Sequence, residues 1–162
     1  MQRKRHDPFK QHLQHEARYF DATPCRREIY GQSGSMHENE ISRVVVDGAL
    51  TVHRTLGPGL LESVYELALA HELAQRGLSV ERQVPIAVEY NGVPLGEGFR
   101  ADLIVAGKVL LELKSVEHLT ALHRKQIQTY LRLTGLKLGL LLNFGAALMK
   151  DGIVRCVNAL ED

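Results

Sequence analysis

The chain has 162 residues, of which 44% are hydrophobic and 24% charged, and this length is enough for one domain with a real core. A formal net charge of +1 excludes a polycationic protein, so any affinity for nucleic acid has to come from a local patch. No apolar run reaches membrane-spanning length, no charged-then-apolar leader opens the chain, and the two cysteines form no CxxC motif. We therefore expect a cytoplasmic protein that does not insert into a membrane.

The first 36 residues differ in composition from the rest of the chain. They are rich in Gln, Arg, His and Lys, contain few aliphatic residues and close with the sequence GQSGSM. This composition predicts a disordered basic arm over residues 1–36, and a solvated tail is favoured over a nucleic-acid contact. Residues 37–162 are predicted to form a single domain.

Two helices open this domain. The first begins near Glu38 and ends at Gly57-Pro58-Gly59, because Gly and Pro in succession turn the chain. The second is predicted from about residue 60 to residue 76, where Gly77 closes it. The apolar residues of the first helix recur at spacings of three and four, which places on one face Ile41, Val45, Ala49, Val52 and Leu56.

Five strands and one further helix are predicted after Gly77. Asn91-Gly92 is a hairpin turn signal, Thr120 can cap a helix that runs to Thr134, and Gly135 stops that helix. The apolar run at 138–144 is typical of a strand covered on both faces. The element order α-α-β-β-β-α-β-β predicts one α/β domain with a mixed central sheet. The strands are expected at residues 80–90, 99–105, 109–116, 138–144 and 153–157.

Three charged residues lie in two of these otherwise apolar strands. Asp102 is in the strand at 99–105, and Glu112 and Lys114 share one face of the strand at 109–116. A two-residue turn between the strands would place Asp102 on the opposite face. A three-residue loop at residues 106–108 would pair Val105 with Val109 and hence Asp102 with Glu112, and we predict this register.

Two carboxylates that face each other across a strand pair repel one another. A divalent cation between Asp102 and Glu112 would remove the repulsion, and oxygen ligands beside an ammonium group are what a Mg²⁺-dependent phosphodiesterase requires. The alternative is a salt bridge of Lys114 with either carboxylate at a sheet edge.

Two further pairs of residues accompany this hairpin. Gln126 and Tyr130 lie one turn apart on the following helix and face the same direction, although a Tyr on the core beside a surface Gln is the favoured explanation of this pair taken alone. Glu62 and Tyr65 lie three apart on the second helix. Glu62 is either an additional carboxylate at the metal or a first-turn residue favoured by the helix dipole. The segment 114–137 carries five Lys or Arg residues against one acid, which indicates a weakly basic surface.

These residues resemble a known family. Gly59, Glu62 and Tyr65 form GxxExxY, and together with HRTLGPGLLESVYE, EGFRADLIV, LELKSVE and the Gln126-x-x-x-Tyr130 pair they are similar to the GxxExxY proteins of the PD-(D/E)xK nuclease-like superfamily. The resemblance covers roughly residues 38–158. It implies a restriction-endonuclease-like core in which a central mixed sheet is flanked by helices.

The resemblance also assigns expected roles. It implies that Asp102 is the motif aspartate, that Glu112-Leu113-Lys114 is the (D/E)xK element, and that Gln126 and Tyr130 are the companion motif of RecB-like nucleases. Ala101 stands where the name of the superfamily has Pro.

The expected activity is a Mg²⁺- or Mn²⁺-dependent nuclease whose partner is nucleic acid, with DNA as the expected form. Asp102, Glu112, the Leu113 carbonyl and Glu62 would hold the metal. Lys114 would orient the attacking water or stabilise phosphate charge, and Gln126 and Tyr130 would position the lysine or the substrate. The alternative is a non-catalytic module that binds nucleic acid or protein, because fold alone does not establish activity.

Overall fold

A computed structural model describes residues 36–160 of the chain, so the basic arm predicted for residues 1–36 lies outside the described residues except for Met36. The order of elements confirms the α-α-β-β-β-α-β-β prediction. The helices are α1 (Glu38–Leu56), α2 (Glu62–Gln75) and α3 (Ala121–Thr134), and the strands are β1 (Val80–Tyr90), β2 (Val93–Val105), β3 (Val109–Lys114), β4 (Leu138–Asn143) and β5 (Ile153–Val157), with a 3-10 turn at Met149–Gly152 before β5.

The five strands form one mixed sheet in the order β1-β2-β3-β4-β5. All neighbouring pairs are antiparallel except β3 and β4, which are parallel and connected by α3. A parallel pair needs such a crossover, because its strands enter the sheet from the same end. This is the α/β fold with a mixed sheet that the element order predicted, and it agrees with the restriction-endonuclease-like core that the resemblance implied.

Each face of the sheet has its own apolar core. On one face α1 and α2 pack against β3 and β4 through residues such as Leu73, Leu111 and Leu140. On the other face α3 packs through Ile127 and Leu131. All six residues of β4 are buried, which confirms that this strand is covered on both faces.

The predicted apolar face of α1 is correct for four of its five residues. Ile41, Val45, Ala49 and Val52 are buried, whereas Leu56 is 40% exposed. Leu56 is the last residue of the helix, and Gly57 then turns the chain with φ +70°. The end of the helix therefore lies outside the apolar core.

The hairpin β1–β2 changes its side-chain alternation at one step. Val80 on β1 and Leu103 on β2 contribute to the α1/α2 core, whereas Val84 and Ala101 contribute to the α3 core. Because side chains of a regular strand alternate, residues two or four apart should share a face. In both strands the alternation of side chains between the two faces is therefore interrupted between these positions. The interruption lies where the register places Gln83 opposite Asp102.

Candidate functional site

The loop between β2 and β3 has the predicted three residues. Val105 pairs with Val109, and the turn is closed by the Lys108 N–H, which donates to the Val105 carbonyl at 3.0 Å. Ala106 and Gly107 both adopt positive φ, +52° and +64°. The predicted register is confirmed for the three pairs from Val105–Val109 to Leu103–Leu111.

The backbone ladder of this hairpin does not extend to Asp102 and Glu112. Its last pair is Leu103 with Leu111. Beyond it, the Asp102 carboxylate takes the place of a backbone partner, since its Oδ2 accepts the Leu113 N–H at 2.8 Å. Asp102 is therefore turned toward β3 along the sheet, which differs from the simple face-to-face carboxylate pair expected from alternation.

Glu112 and Lys114 form a largely buried ion pair. Lys114 Nζ donates to Glu112 Oε1 at 2.7 Å, and Glu112 is only 3% exposed. The salt bridge weighed as an alternative is thus present, but it occupies one oxygen. Glu112 Oε2 is buried and has no hydrogen-bond partner among the described residues, which is a costly state for a carboxylate oxygen.

The electrostatics of the three charged residues are mutually dependent. Burial raises the pKa of Asp102, against the lowering effects of the Leu113 hydrogen bond and the Lys114 charge, and the nearby Glu66 and Glu62 charges raise it further. Burial also raises the pKa of Glu112; the Lys114 hydrogen bond lowers it and the Asp102 charge raises it. The site therefore disfavours two ionised carboxylates unless positive charge is added.

The pKa of Lys114 is raised. Burial lowers it, but the hydrogen bond to Glu112 and the charges of Glu112, Glu62 and Asp102 together outweigh burial. Lys114 is thus held as an ammonium group at neutral pH, with donors left beyond the one that Glu112 accepts.

Hydrogen bonds connect the start of α2 and the loop before it to Ser115, the residue that follows β3. Glu62 Oε1 accepts the Ser115 N–H at 3.0 Å, and Ser115 Oγ donates to the Leu60 carbonyl at 2.7 Å. The fully buried Tyr65 closes the preceding loop, because its hydroxyl donates to the Gly57 carbonyl at 2.6 Å and accepts the Leu60 N–H at 3.1 Å. The residues of GxxExxY therefore position a loop beside Lys114.

Gln126 and Tyr130 face one direction on α3, as predicted. Gln126 Nε2 donates to the Tyr130 hydroxyl, and the Tyr130 ring stacks on Phe99 of β2. Leu110 packs with α3, so Glu112 and Lys114, which alternate with Leu113, emerge on the same side of the sheet as this helix. No hydrogen bond or ion pair of the described residues joins Gln126 or Tyr130 to the carboxylates or to Lys114.

Two buried polar residues near the site were not identified from the sequence. Glu66 is 6% exposed and binds Arg82 and Gln83. It lies on the α2 face that also carries Leu69 and Leu73, and a charge on an apolar helix face was the available signal.

The second missed residue, Asn143, ends the apolar strand β4. Its side chain accepts the Val116 N–H at 3.0 Å and donates to the Val116 carbonyl at 2.8 Å. It thereby extends the β3–β4 pairing past Lys114 and holds the chain that leads from β3 to α3.

The donor set fits a hard divalent cation that keeps several waters. Among residues 36–160 no group of three or more Asp, Glu, His or Cys side chains could hold a metal ion alone. Mg²⁺, however, is commonly bound through one or two carboxylates together with water and substrate phosphate. The unpartnered Glu112 Oε2 and the oxygen of Asp102 that Leu113 does not occupy fit that requirement.

Comparisons with known proteins place this geometry in a family. A model of the PD-(D/E)XK nuclease superfamily matches residues 39–156. The curated proteins and the solved structures gave no significant match. No helix of residues 36–160 is long and apolar enough to cross a membrane. Because the match covers most of the chain, including all of β2, β3 and α3, the protein belongs to the PD-(D/E)XK nuclease superfamily.

Proposed function

We propose that this protein is a metal-dependent nuclease that hydrolyses phosphodiester bonds of nucleic acid, with DNA as the substrate and Mg²⁺ or Mn²⁺ as the cofactor. The observation that carries the proposal is the buried, unpartnered Glu112 Oε2 beside Asp102 and Lys114. Members of this superfamily are usually nucleases and generally use divalent metals.

In the proposed site, Asp102 and Glu112 hold the metal through their remaining oxygens. The Leu113 carbonyl is a further ligand in the proposal, because the N–H and C=O of one strand residue point to the same edge, and the Leu113 N–H already points to Asp102. Glu62 contributes charge, and in the proposal its other oxygen contacts the metal directly or through water, since only Oε1 binds Ser115. A bound divalent ion polarises the phosphate and lowers the pKa of an attacking water.

Lys114 acts in this proposal as a charge stabiliser. Its raised pKa keeps it cationic, so its remaining N–H donors are available to a phosphate oxygen on which negative charge develops. Gln126 and Tyr130 are proposed to guide the nucleic-acid backbone on the same side of the sheet. We also propose that the protein is a GxxExxY protein, since the family tyrosine and glutamate order the loop beside Lys114.

The charge of the helices favours a polyanionic substrate on the α3 side. Helix α3 contains no acidic residue, and its three basic residues, Arg124, Lys125 and Arg132, are exposed. Helix α2 has the opposite composition, with three glutamates and no Lys or Arg. A phosphate backbone is therefore attracted to the face from which Glu112 and Lys114 emerge.

The test is a cleavage panel of linear, circular and single-stranded DNA and of RNA with Mn²⁺. We expect cleavage by the native protein and a loss of about a hundredfold or more in Lys114→Ala, on the scale of removing one transition-state donor. Lys150→Ala is the matched control, because Lys150 is exposed in the 3-10 turn.

Metal binding is measured separately with Asp102→Asn. The asparagine oxygen can still accept the Leu113 N–H, so the variant should fold but should not be stabilised by Mn²⁺. Cleavage that survives both substitutions would contradict the proposed site. Nucleic-acid binding with no cleavage and no Mn²⁺ stabilisation of the native protein would instead indicate the non-catalytic module.

A further inference from the structure

A buried carboxylate on α2 makes contacts that the proposed chemistry does not use. Both oxygens of Glu66 are occupied: Arg82 Nε donates to Oε1 at 2.9 Å, and Gln83 Nε2 donates to Oε2 at 2.6 Å. Arg82 and Gln83 are consecutive residues of β1, and consecutive side chains of a regular strand point to opposite faces. A single carboxylate that binds both therefore requires an irregular strand.

The irregularity lies in the backbone of Gln83. This residue has φ +50°, a left-handed conformation that residues other than Gly rarely adopt within a strand. Such a conformation persists where surrounding contacts hold it. The hydrogen bond from the Gln83 side chain to Glu66 is a contact of this kind.

The same step determines the direction of Asp102. The register around it, Arg82 with Leu103 and Val84 with Ala101, places Gln83 opposite Asp102. At this step the apolar side chains of both strands change from the face of the α1/α2 core to the face of the α3 core. Asp102 consequently points along the sheet toward the Leu113 N–H.

We propose that Glu66 is a positioning residue for the nuclease site. Glu66 holds the irregular backbone at Gln83, where the side-chain alternation of β1 and β2 is interrupted, and thereby directs Asp102 toward β3. The catalytic consequence rests on the proposed function, but the geometry can be measured without metal or nucleic acid. The Leu113 amide reports it directly, because its hydrogen bond ends on Asp102.

The experiment follows amide hydrogen exchange of the metal-free protein by NMR. In Glu66→Gln an NH2 group replaces one carboxylate oxygen, and this group cannot accept the hydrogen bond that the oxygen accepted. We therefore expect the Leu113 amide to exchange about tenfold faster relative to the Leu111 amide. Glu72→Gln is the matched control, since Glu72 is also on α2 and also accepts from an arginine, Arg76, at 2.8 Å. The control should leave the Leu113 amide unchanged.

A second pair of variants separates positioning from general stability. Gln83→Ala removes the same hydrogen bond from its other end and leaves the Glu66–Arg82 ion pair, so it should also expose the Leu113 amide. In the double variant Glu66→Gln/Gln83→Gly, glycine adopts a positive φ without support, and Leu113 protection should return in part.

Three outcomes would overturn the inference: an unchanged Leu113 amide in both single variants, equal acceleration of Leu111 and Leu113, or no recovery with glycine. Equal acceleration would show that Glu66 merely stabilises the fold. In the Mn²⁺ cleavage assay we expect Glu66→Gln to lower kcat with little change in KM. If the native protein cleaves nothing, the proposed function fails, whereas the exchange data still decide the role of Glu66.

Discussion

Replacing Tyr65 by phenylalanine removes one oxygen atom that holds the loop before α2. The hydroxyl is fully buried, donates to the Gly57 carbonyl and accepts the Leu60 N–H. The ring would keep its stacking on Phe144, where the ring centroids are 4.5 Å apart and the planes differ by 10°. The substitution therefore removes two hydrogen bonds and little packing.

The expected loss of unfolding free energy is about 2 kcal/mol, since a typical hydrogen bond contributes about 1 kcal/mol. A larger loss is not expected, because Gly57 and Leu60 are partly exposed and water can reach them when the hydroxyl is gone. Urea unfolding followed by circular dichroism measures this loss, which corresponds to a fall in midpoint of about 1 M for a typical slope.

Tyr90→Phe is the matched control for this experiment. Tyr90 is 67% exposed at the end of β1, so its loss of a hydroxyl should change stability by less than about 0.5 kcal/mol. Equal effects of the two substitutions would refute the reasoning. They would show that the Gly57–Leu60 loop is not held by the tyrosine hydroxyl.

Two other predictions follow from the site and its surroundings. Burial raises the pKa of both Asp102 and Glu112. At a pH above the ordinary carboxyl pKa values, the folded state therefore binds more protons than the unfolded chain. The stability of the metal-free protein should consequently fall as the pH rises through the raised pKa values. In urea unfolding from pH 4 to 8, Asp102→Asn should flatten this fall and be more stable than the native protein at pH 7; a steeper fall would contradict the expected sign. Gly145→Ala should lower stability by about 3 kcal/mol in the same assay, because a Cβ there would lie 2.4 Å from the Val116 carbonyl oxygen. Gly135→Ala, whose Cβ meets no atom within 4 Å, should cost only about 1 kcal/mol for its left-handed backbone, and equal losses would exclude a clash as the cause.

The order of elements was predictable because local signals agreed with one another. Gly135 has the left-handed φ of +71° expected of a helix stop, and Asn91-Gly92 forms the predicted turn with φ +51° and +79°. The register of the β2–β3 hairpin followed from its loop length alone. These features depend on neighbouring residues, which a single sequence shows directly.

The features that were missed depend on contacts between distant segments. The left-handed Gln83 opposite Asp102 is hydrogen-bonded to Glu66 of another element, and no local pattern in β1 indicates a left-handed glutamine. The sequence also predicted a strand that begins at residue 99, whereas β2 begins at Val93 and runs through Gly98. A Cβ at Gly98 would lie 2.1 Å from the Val88 side chain, so the glycine permits close approach of β1 and β2.

Which of the candidate ligands converge was only partly predictable. The sequence placed Asp102 and Glu112 opposite each other by counting residues, but could not show that the ladder ends one pair earlier. That ending leaves the Leu113 N–H to the Asp102 carboxylate. The electrostatic consequence, two acids with raised pKa beside a cation, appears only when burial is known.

The outer strand β1 also affects how molecules of this protein meet one another. Among the strands of residues 36–160 it lies at one margin of the sheet, contains Pro85, and its register with β2 shifts on either side of Ala87. With the left-handed Gln83, these irregularities interrupt the row of N–H and C=O groups that an approaching strand would need. At the opposite margin β5 has only five residues. Growth of the sheet from chain to chain, the first step of fibrous aggregation, is therefore opposed at both margins by the backbone itself.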